Sequence, residues 1–460
     1  MKNLPKNTWV MRLLKILHVL VLTAMLVACV YIWYIPMLGV QRVWAYSCAA
    51  AIVYFILVAN LGRIYGMYRF GVSRIRHLVF AQALSILLSA AVGYAAASII
   101  KLRWINPLPL LGMLAVQLIW CIGWSLVANR VYFGVNKPKK TVVLYTAEEE
   151  LHQLEQIPYL TGKFHIVGQA PVIDDLQQMQ QVLEGAEAAF LLGLDTDTRN
   201  LLIKHCITCG IHCYFPPRVG DVVVSGAEHM EAFSVPLMRV RQAIPSVEYA
   251  IIKRCFDVVA SLLAVVLTSP FMLVTAIAIK AQDGGPVLYK QVRLTKDRKE
   301  FKVLKFRSMR VDAEKDGVAR LATENDDRIT PVGKFIRKIR FDELPQLFNI
   351  LKGDMTIVGP RPERPEIASQ YEEEIPSFGL RLQVKAGLTG YAQVYGRYNT
   401  TPYDKLKMDL MYINRMSVFE DLRIMLATVK ILFMKESTEG IEEGQTTASH
   451  KEEQKELQKL

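Results

Sequence analysis

The strongest constraint on this chain lies at its N-terminal end, where four apolar stretches follow one another: Ile16–Leu38, Val43–Leu61, Leu78–Ile100 and Leu108–Ala128. Each is close to the ~20 residues that a helix needs to cross the hydrocarbon core of a bilayer. The flanking charge alternates. Lys2, Lys6, Arg12 and Lys15 precede the first stretch, Arg63, Arg69, Arg74 and Arg76 fill the second loop, and Arg130, Lys137, Lys139 and Lys140 follow the fourth. The first loop holds only Arg42, and the third only Lys101 and Arg103. Positive residues collect on the cytoplasmic side, so both ends of the block are expected there. A cleaved signal peptide accounts for one stretch and leaves three unexplained. Trp33, Tyr34, Trp44, Trp104, Trp120 and Trp124 suit interfacial anchors. Composition agrees: 52% of residues are apolar and 21% charged, an excess that a soluble enzyme, with its polar surface, rarely shows. Seven scattered cysteines suggest no disulfide framework and fit a reducing compartment.

From about Lys140 strand-like runs (Thr141–Tyr145, Phe164–Val167, Ala188–Leu192, Ile211–Phe215) alternate with polar helical stretches such as Asp174–Glu184 and Thr198–Cys206. This alternation predicts a doubly wound α/β unit. The turn after the first strand carries no glycine and runs into Glu148, Glu149 and Glu150, which would repel a pyrophosphate. A degenerate Rossmann-like fold is therefore expected, without nicotinamide. His205, Cys206, Cys209, His212 and Cys213 imitate a zinc knuckle, but no second pair follows at finger spacing, and buried cysteine is the plainer reading. Tyr249/Lys253 and Tyr403/Lys407 have dehydrogenase-like spacing without the glycine-rich turn that would give it meaning.

A fifth apolar run, Val258–Ile279, has basic flanks on both sides: Lys253 and Arg254 before it, Lys280, Lys290 and Arg293 after it. Charge thus places both ends in the cytoplasm. Pro270 lies mid-run, where proline removes a backbone donor and bends or breaks a helix. A re-entrant helix over 257–280, turning at Ser269-Pro270, is the expectation. A kinked fifth span would instead put the basic C-terminal part outside.

Beyond it lie Lys305 and Arg307, a basic segment through Arg337, Lys338 and Arg340, then Asp342-Glu343-Leu-Pro345, and finally Gly359-Pro360-Arg361-Pro362. Pro345 belongs in a first turn, so the two acids are expected to open a helix, where the dipole and the neighbouring cations favour anions. Adjacent acids in a basic pocket suit a nucleophile or metal ligand beside a supporting group, and a rigid turn presents Arg361 as a bidentate phosphate partner. Taken by themselves, these residues are more simply read as a helix cap at Asp342, a structural corner at Pro360-Arg361-Pro362 and a solvated strand face at Lys305 and Arg307.

The ordered blocks decide between these readings. Lys253-Arg254-x-x-Asp257, Ser269-Pro270, Lys305-Phe-Arg-Ser-Met309, Asp342-Glu-Leu-Pro-Gln-Leu-x-Asn349, Leu351-Lys-Gly-Asp-Met355, Val358-Gly-Pro-Arg-Pro362 and Gly387-x-Thr-Gly-x-x-Gln-x-x-Gly-Arg397 resemble the bacterial sugar transferase family, the monotopic polyprenyl-phosphate phosphoglycosyl transferases. The four-span front matches the family's long members. The resemblance implies transfer of a sugar-1-phosphate, a hexose in the exopolysaccharide-type members, from a UDP-sugar to undecaprenyl phosphate. Asp342 would be the nucleophile and Mg²⁺ ligand, and Glu343 its assistant. Lys305, Arg307, Arg337, Gly359, Pro360, Arg361, Pro362, Gln393 and Arg397 would bind substrate phosphate, and Lys253, Arg254, Ser269 and Pro270 would serve the re-entrant helix and dock the lipid. Ala386, Tyr391 and Tyr395 depart from the family's usual residues, which leaves the sugar open.

The expected architecture is a membrane α-helical domain of four transmembrane helices (1–136), a Rossmann-like α/β domain (137–248), a mixed α/β catalytic domain (249–434) with the re-entrant helix, and a disordered tail (435–460). The expected location is the bacterial inner membrane, multi-pass, with the catalytic domain cytoplasmic. The net charge of +12 is then directed at membrane lipids and a diphosphate, with no nucleic acid as partner. A homodimer stays open. The competing functions are a membrane nucleotide-sugar dehydratase, which needs the missing glycine-rich loop, and a non-enzymatic nucleotide-sugar sensor, which has no use for Asp342 and Glu343.

Overall fold

The structure, a computed structural model, describes residues 6–432 apart from 39–42, 72, 156–159, 173–174, 233–234, 312–327 and 397–399. The expected tail, 435–460, lies outside the described residues. The chain forms two compact units, Met1–Pro216 and Pro217–Leu460.

Four membrane-length helices open the first unit: Trp9–Met37, Val43–Tyr65, Ile75–Lys101 and Leu108–Val135. Where they face one another, Val58, Leu78, Ala81 and Ala128 are fully buried, while Ile52, Leu87, Ile119 and Val127 point outward. Lipid tails are as apolar as leucine, so close packing and internal hydrogen bonds must hold such helices together. Tyr54 Oη donates to Gln117 Oε1 (2.9 Å), and Gln117 Nε2 donates to the Leu22 carbonyl (2.8 Å), which joins three of them.

The same unit continues into a parallel sheet of β1 (Lys139–Tyr145), β2 (Phe164–Pro171), β3 (Ala188–Leu191) and β4 (His212–Tyr214), in the order β2-β1-β3-β4. Val142 and Leu144 pack on Met179, Leu183, Leu202 and Cys206, and Val143 on Leu151, Leu154 and Leu160. Burial on both faces is why β1 reads as a continuous apolar run rather than an alternation. Ligands of such folds bind where the strand order reverses, here between β1 and β3. The helix Glu148–Glu155 begins there with three glutamates in its first turn, and the Glu150 carboxylate lies over Gly193. The chain's own carboxylate thus stands where a phosphate would sit. Cys206, from the apparent zinc knuckle, is fully buried in the apolar core.

The second unit begins with the helix Val219–Ser225 and the hairpin of β5 (Glu228–Ala232) and β6 (Val235–Arg239). A second hairpin, β7 (Leu288–Leu294) with β8 (Glu300–Phe306), and a short parallel pair, β9 (Thr356–Val358) with β10 (Gly387–Thr389), are surrounded by helices. The main core gathers Val222, Val358, Phe378, Leu406, Tyr412 and Ile424.

The fifth apolar run is one helix, Val247–Asp283, longer than expected at both ends. Ser246 caps it by accepting from Tyr249 N (3.2 Å), and Gly284 ends it in the left-handed region at φ 69°. The helical assignment passes through Pro270 unbroken. Proline leaves the carbonyl four residues back without its donor, and Ser269 Oγ donates to that carbonyl, Val266 O (2.8 Å). Thr268 Oγ1 adds a second bond to Ala264 O (2.7 Å) one turn before the proline. In a bilayer such side-chain bonds replace the water that would otherwise serve these groups. Val259, Leu263, Val266 and Val274 are well exposed, as a lipid-facing surface would be. On one side of Pro270, Ala264 and Val265 pack on Phe301, Leu347 and Ile350; on the other, Met272, Ala276 and Ile279 pack on Phe306 and Ile336. A crossing helix would part its two halves by the thickness of a membrane. Here both halves rest on one domain, as in a re-entrant helix.

Candidate active site

The helix Pro331–Lys338 presents Arg337 and ends just before Arg340, which adopts a left-handed conformation (φ 56°). This turn of the backbone starts a separate 3-10 turn, Phe341–Glu343, and only then does the helix Gln346–Lys352 begin, with Pro345 at its N-cap. Asp342 and Glu343 thus lie in a 3-10 turn that follows the break at Arg340 and runs through Leu344 and Pro345, both right-handed, into that helix, one turn before its α-helical part. Asn349 fastens the helix to β8, accepting from Leu304 N (3.0 Å) and donating to Lys302 O (2.9 Å). The adjacent strand residue is Lys305.

Lys305 Nζ donates to Glu343 Oε1 (3.1 Å), and Arg361 Nη2 approaches the same oxygen (3.4 Å). Burial pushes the Glu343 carboxyl up, but Lys305, Arg361 and Arg340 together outweigh it and hold the group well below the ordinary carboxylate range. Asp342 moves the other way. Its burial and the charge of Glu343 raise it, against the pull of Lys305 and Arg337. Neighbouring acids driven apart in this way mark different tasks. Glu343 is a fixed anion that organises two cations. Among the described residues no side chain is hydrogen-bonded to the Asp342 carboxylate, so it is the one available to a reacting atom.

Arg361 is placed by backbone chemistry. Gly359 N donates to Thr389 O (2.8 Å) and Gly387 N to Pro360 O (2.9 Å). A Cβ on Gly359 would lie 2.5 Å from Lys385 O, and one on Gly387 would collide with Gly359 itself. The glycines of the two blocks are thus needed because two backbones touch. Arg381, 3% exposed, donates to Arg361 O (2.9 Å) and pairs with Asp409 (2.7 Å). Arg293 donates to Pro362 O (3.1 Å), and burial, aided by Arg361 and Arg364, lowers it to about 10. Sequence reading passed over Arg381 and Asp409. They lie 28 residues apart without a common motif, and only folding brings them together.

The remaining expected residues are dispersed. Arg307 is buried against Asp283 at the end of the long helix, and its Nε and Nη1 lack partners among the described residues. Gln393 donates to Leu388 O (3.3 Å), while its buried Oε1 has no partner among the described residues. Arg397 lies outside the described residues. Lys253 bonds Asp421 (2.6 Å) and Val358 O (3.0 Å), and Arg254 covers the last carbonyls of a helix, Ile350 O (2.6 Å) and Leu351 O (2.7 Å). Asp257 accepts from Thr356 Oγ1 (2.6 Å) and Ile357 N (3.0 Å). All three bolt the long helix to the domain.

Comparison with known proteins is consistent with this geometry. A family model described as bacterial sugar transferase matches residues 248–435. Over 192 residues the chain is 43% identical to a UDP-N-acetylgalactosamine-undecaprenyl-phosphate N-acetylgalactosaminephosphotransferase of Aeromonas hydrophila, covering 41% of this chain and 45% of that protein. It is 45% identical over 184 residues to a UDP-glucose:undecaprenyl-phosphate glucose-1-phosphate transferase of Klebsiella pneumoniae, covering 39% of each. Both matches span less than half of the relative. An exopolysaccharide production protein of Rhizobium leguminosarum is 40% identical over 188 residues, which is 39% of this chain but 94% of that protein. The chain belongs to the bacterial sugar transferase family. As a long member of that family with several membrane-length helices, it is a multi-pass inner-membrane protein with its C-terminal domain on the cytoplasmic face. In this sugar transferase Phe341, next to Asp342, packs edge-on against Phe271 of the long helix, with ring centroids 6.3 Å apart.

Proposed function

We propose that the protein transfers a hexose-1-phosphate from a UDP-sugar to undecaprenyl phosphate, releasing UMP, as the first membrane step of a surface glycan. One observation carries this reading: the uncommitted carboxylate, Asp342, is one residue from a side chain packed on the apolar helix, beside Lys305, Arg337 and Arg361. A soluble donor and a lipid acceptor can reach such a position in turn. An Asp342 oxygen attacks the β-phosphorus, and the bond from that phosphorus to the bridging oxygen breaks, so UMP leaves with the electron pair. A phosphate oxygen of the lipid then attacks the same phosphorus, and the bond to Asp342 breaks. Both nucleophiles are already anions, so neither half-reaction needs a general base. This suits a Glu343 that stays ionised and serves by holding Lys305 and Arg361 against the phosphate oxygens.

Among the described residues no three His, Cys, Asp or Glu side chains are grouped for a metal. Mg²⁺ is commonly bound by one or two carboxylates together with substrate phosphates, and Asp342 fits that mode. The ion would supply charge neutralisation at the diphosphate.

The test is UMP release from a panel of UDP-sugars by membranes carrying the protein, with undecaprenyl phosphate and Mg²⁺. The expected result is release with one sugar class and radiolabelled sugar phosphate trapped on the protein when lipid is withheld. Label retained by Asp342→Ala would overturn the assignment of the nucleophile.

A further inference from the structure

The membrane helices carry charges that they cannot satisfy among themselves. The first acidic residue of the chain is Glu148, so the four helices and their loops hold no carboxylate at all. Between Lys6–Cys29 and Val43–Tyr65 lies a cavity of about 440 Å³, lined at one level by Lys15, Arg63 and Arg69 and at another by Val19, Phe55 and Ala59. The two helices run in opposite directions, so Val19 and Phe55 lie one to two turns deeper in the bilayer than the cations, at ~1.5 Å per residue. Among the described residues none of the three cations makes an ion pair. Lys15 has only the ring of Tyr68, 5.5 Å away.

Lys15 is half-buried and Arg63 and Arg69 are exposed at the cytoplasmic ends of the helices, where the counter-charge that such residues attract is an anionic headgroup. A soluble anion would leave the apolar part of the cavity empty, and a neutral lipid would leave the cations unmet. We propose that this cavity binds a phosphate-headed lipid of the cytoplasmic leaflet, with its phosphate on Lys15, Arg63 and Arg69 and one hydrocarbon chain along Val19, Phe55 and Ala59. The site belongs to the first unit and does not depend on the reaction assigned to Asp342.

Native mass spectrometry of the full-length protein in neutral detergent tests this with phosphatidylglycerol, undecaprenyl phosphate, phosphatidylcholine and inorganic phosphate as separate probes. The expected result is retention of phosphatidylglycerol, undecaprenyl phosphate or both, in preference to phosphatidylcholine, weakened by salt in the unaltered protein. The double variant Lys15→Gln/Arg63→Gln is expected to lose that retention ~30-fold, given ~1 kcal/mol for each cation near a lipid phosphate. Ala59→Trp, which fills the apolar part and keeps every charge, is expected to lose it as well. Loss with only one of the two lipids identifies that lipid as the occupant. Equal retention of phosphatidylcholine, full displacement by inorganic phosphate, or retention unchanged in both variants would overturn the proposal.

Discussion

Asp342 and Glu343 are neighbours in the chain, yet Glu343 faces Lys305 and Arg361 while Asp342 bears the charge of Glu343 with no side chain bonded to it among the described residues. The consequences for stability have opposite signs. The raised carboxyl of Asp342 contributes stability below its unfolded pKa, and this is lost as pH rises through the folded value. At neutral pH its charge is therefore a cost. Asp342→Asn is expected to abolish UMP release and to raise stability at neutral pH, read by thermal denaturation. The depressed carboxyl of Glu343 contributes stability above its unfolded value, and this is lost as pH falls through the lower folded one. Glu343→Gln should cost about 3 kcal/mol at neutral pH, because it leaves Lys305 buried without its partner, and the penalty should shrink in acid. A Glu343→Gln protein as stable as its parent at pH 7 would contradict this account.

At the scale of elements, the membrane helix keeps its proline because serine serves the carbonyl that proline leaves bare. Removing that hydroxyl should cost about 1–2 kcal/mol in Ser269→Ala. In a Pro270→Ala background residue 270 regains its N–H, so the same serine change should be nearly neutral. A double-mutant cycle that shows no coupling would refute the pairing. Gly387→Ala forces apart the two backbones that place Arg361. It should lower kcat/KM more than tenfold, with the loss in substrate affinity as well as turnover. Lys253, Arg254 and Asp257 act at this scale too, since each meets β9, a helix end or Asp421 and so ties the long helix to the domain.

At the scale of the molecule, the chain divides after Pro216, and a relative matched over 94% of its own length corresponds to 39% of this chain, less than the second unit alone. A protein beginning at Pro217 is therefore expected to insert in membranes and to release UMP at a rate within about tenfold of the full chain; complete inactivity would show that the first unit is required.

How much of this was legible beforehand depended on whether the cause was local. The four spans, the strand–helix alternation and the acid pair in a basic stretch follow from periodicity, length and charge, which act between near neighbours in the chain. Long-range packing was not legible: that Lys253 and Arg254 turn inward, that Arg307 meets Asp283 instead of Asp342, and that Arg381 and Asp409 support Arg361. Residue types say which groups can ionise. Only the fold decides which charges face each other in a dry environment, and that decides which of two adjacent carboxylates stays fixed and which is left to react.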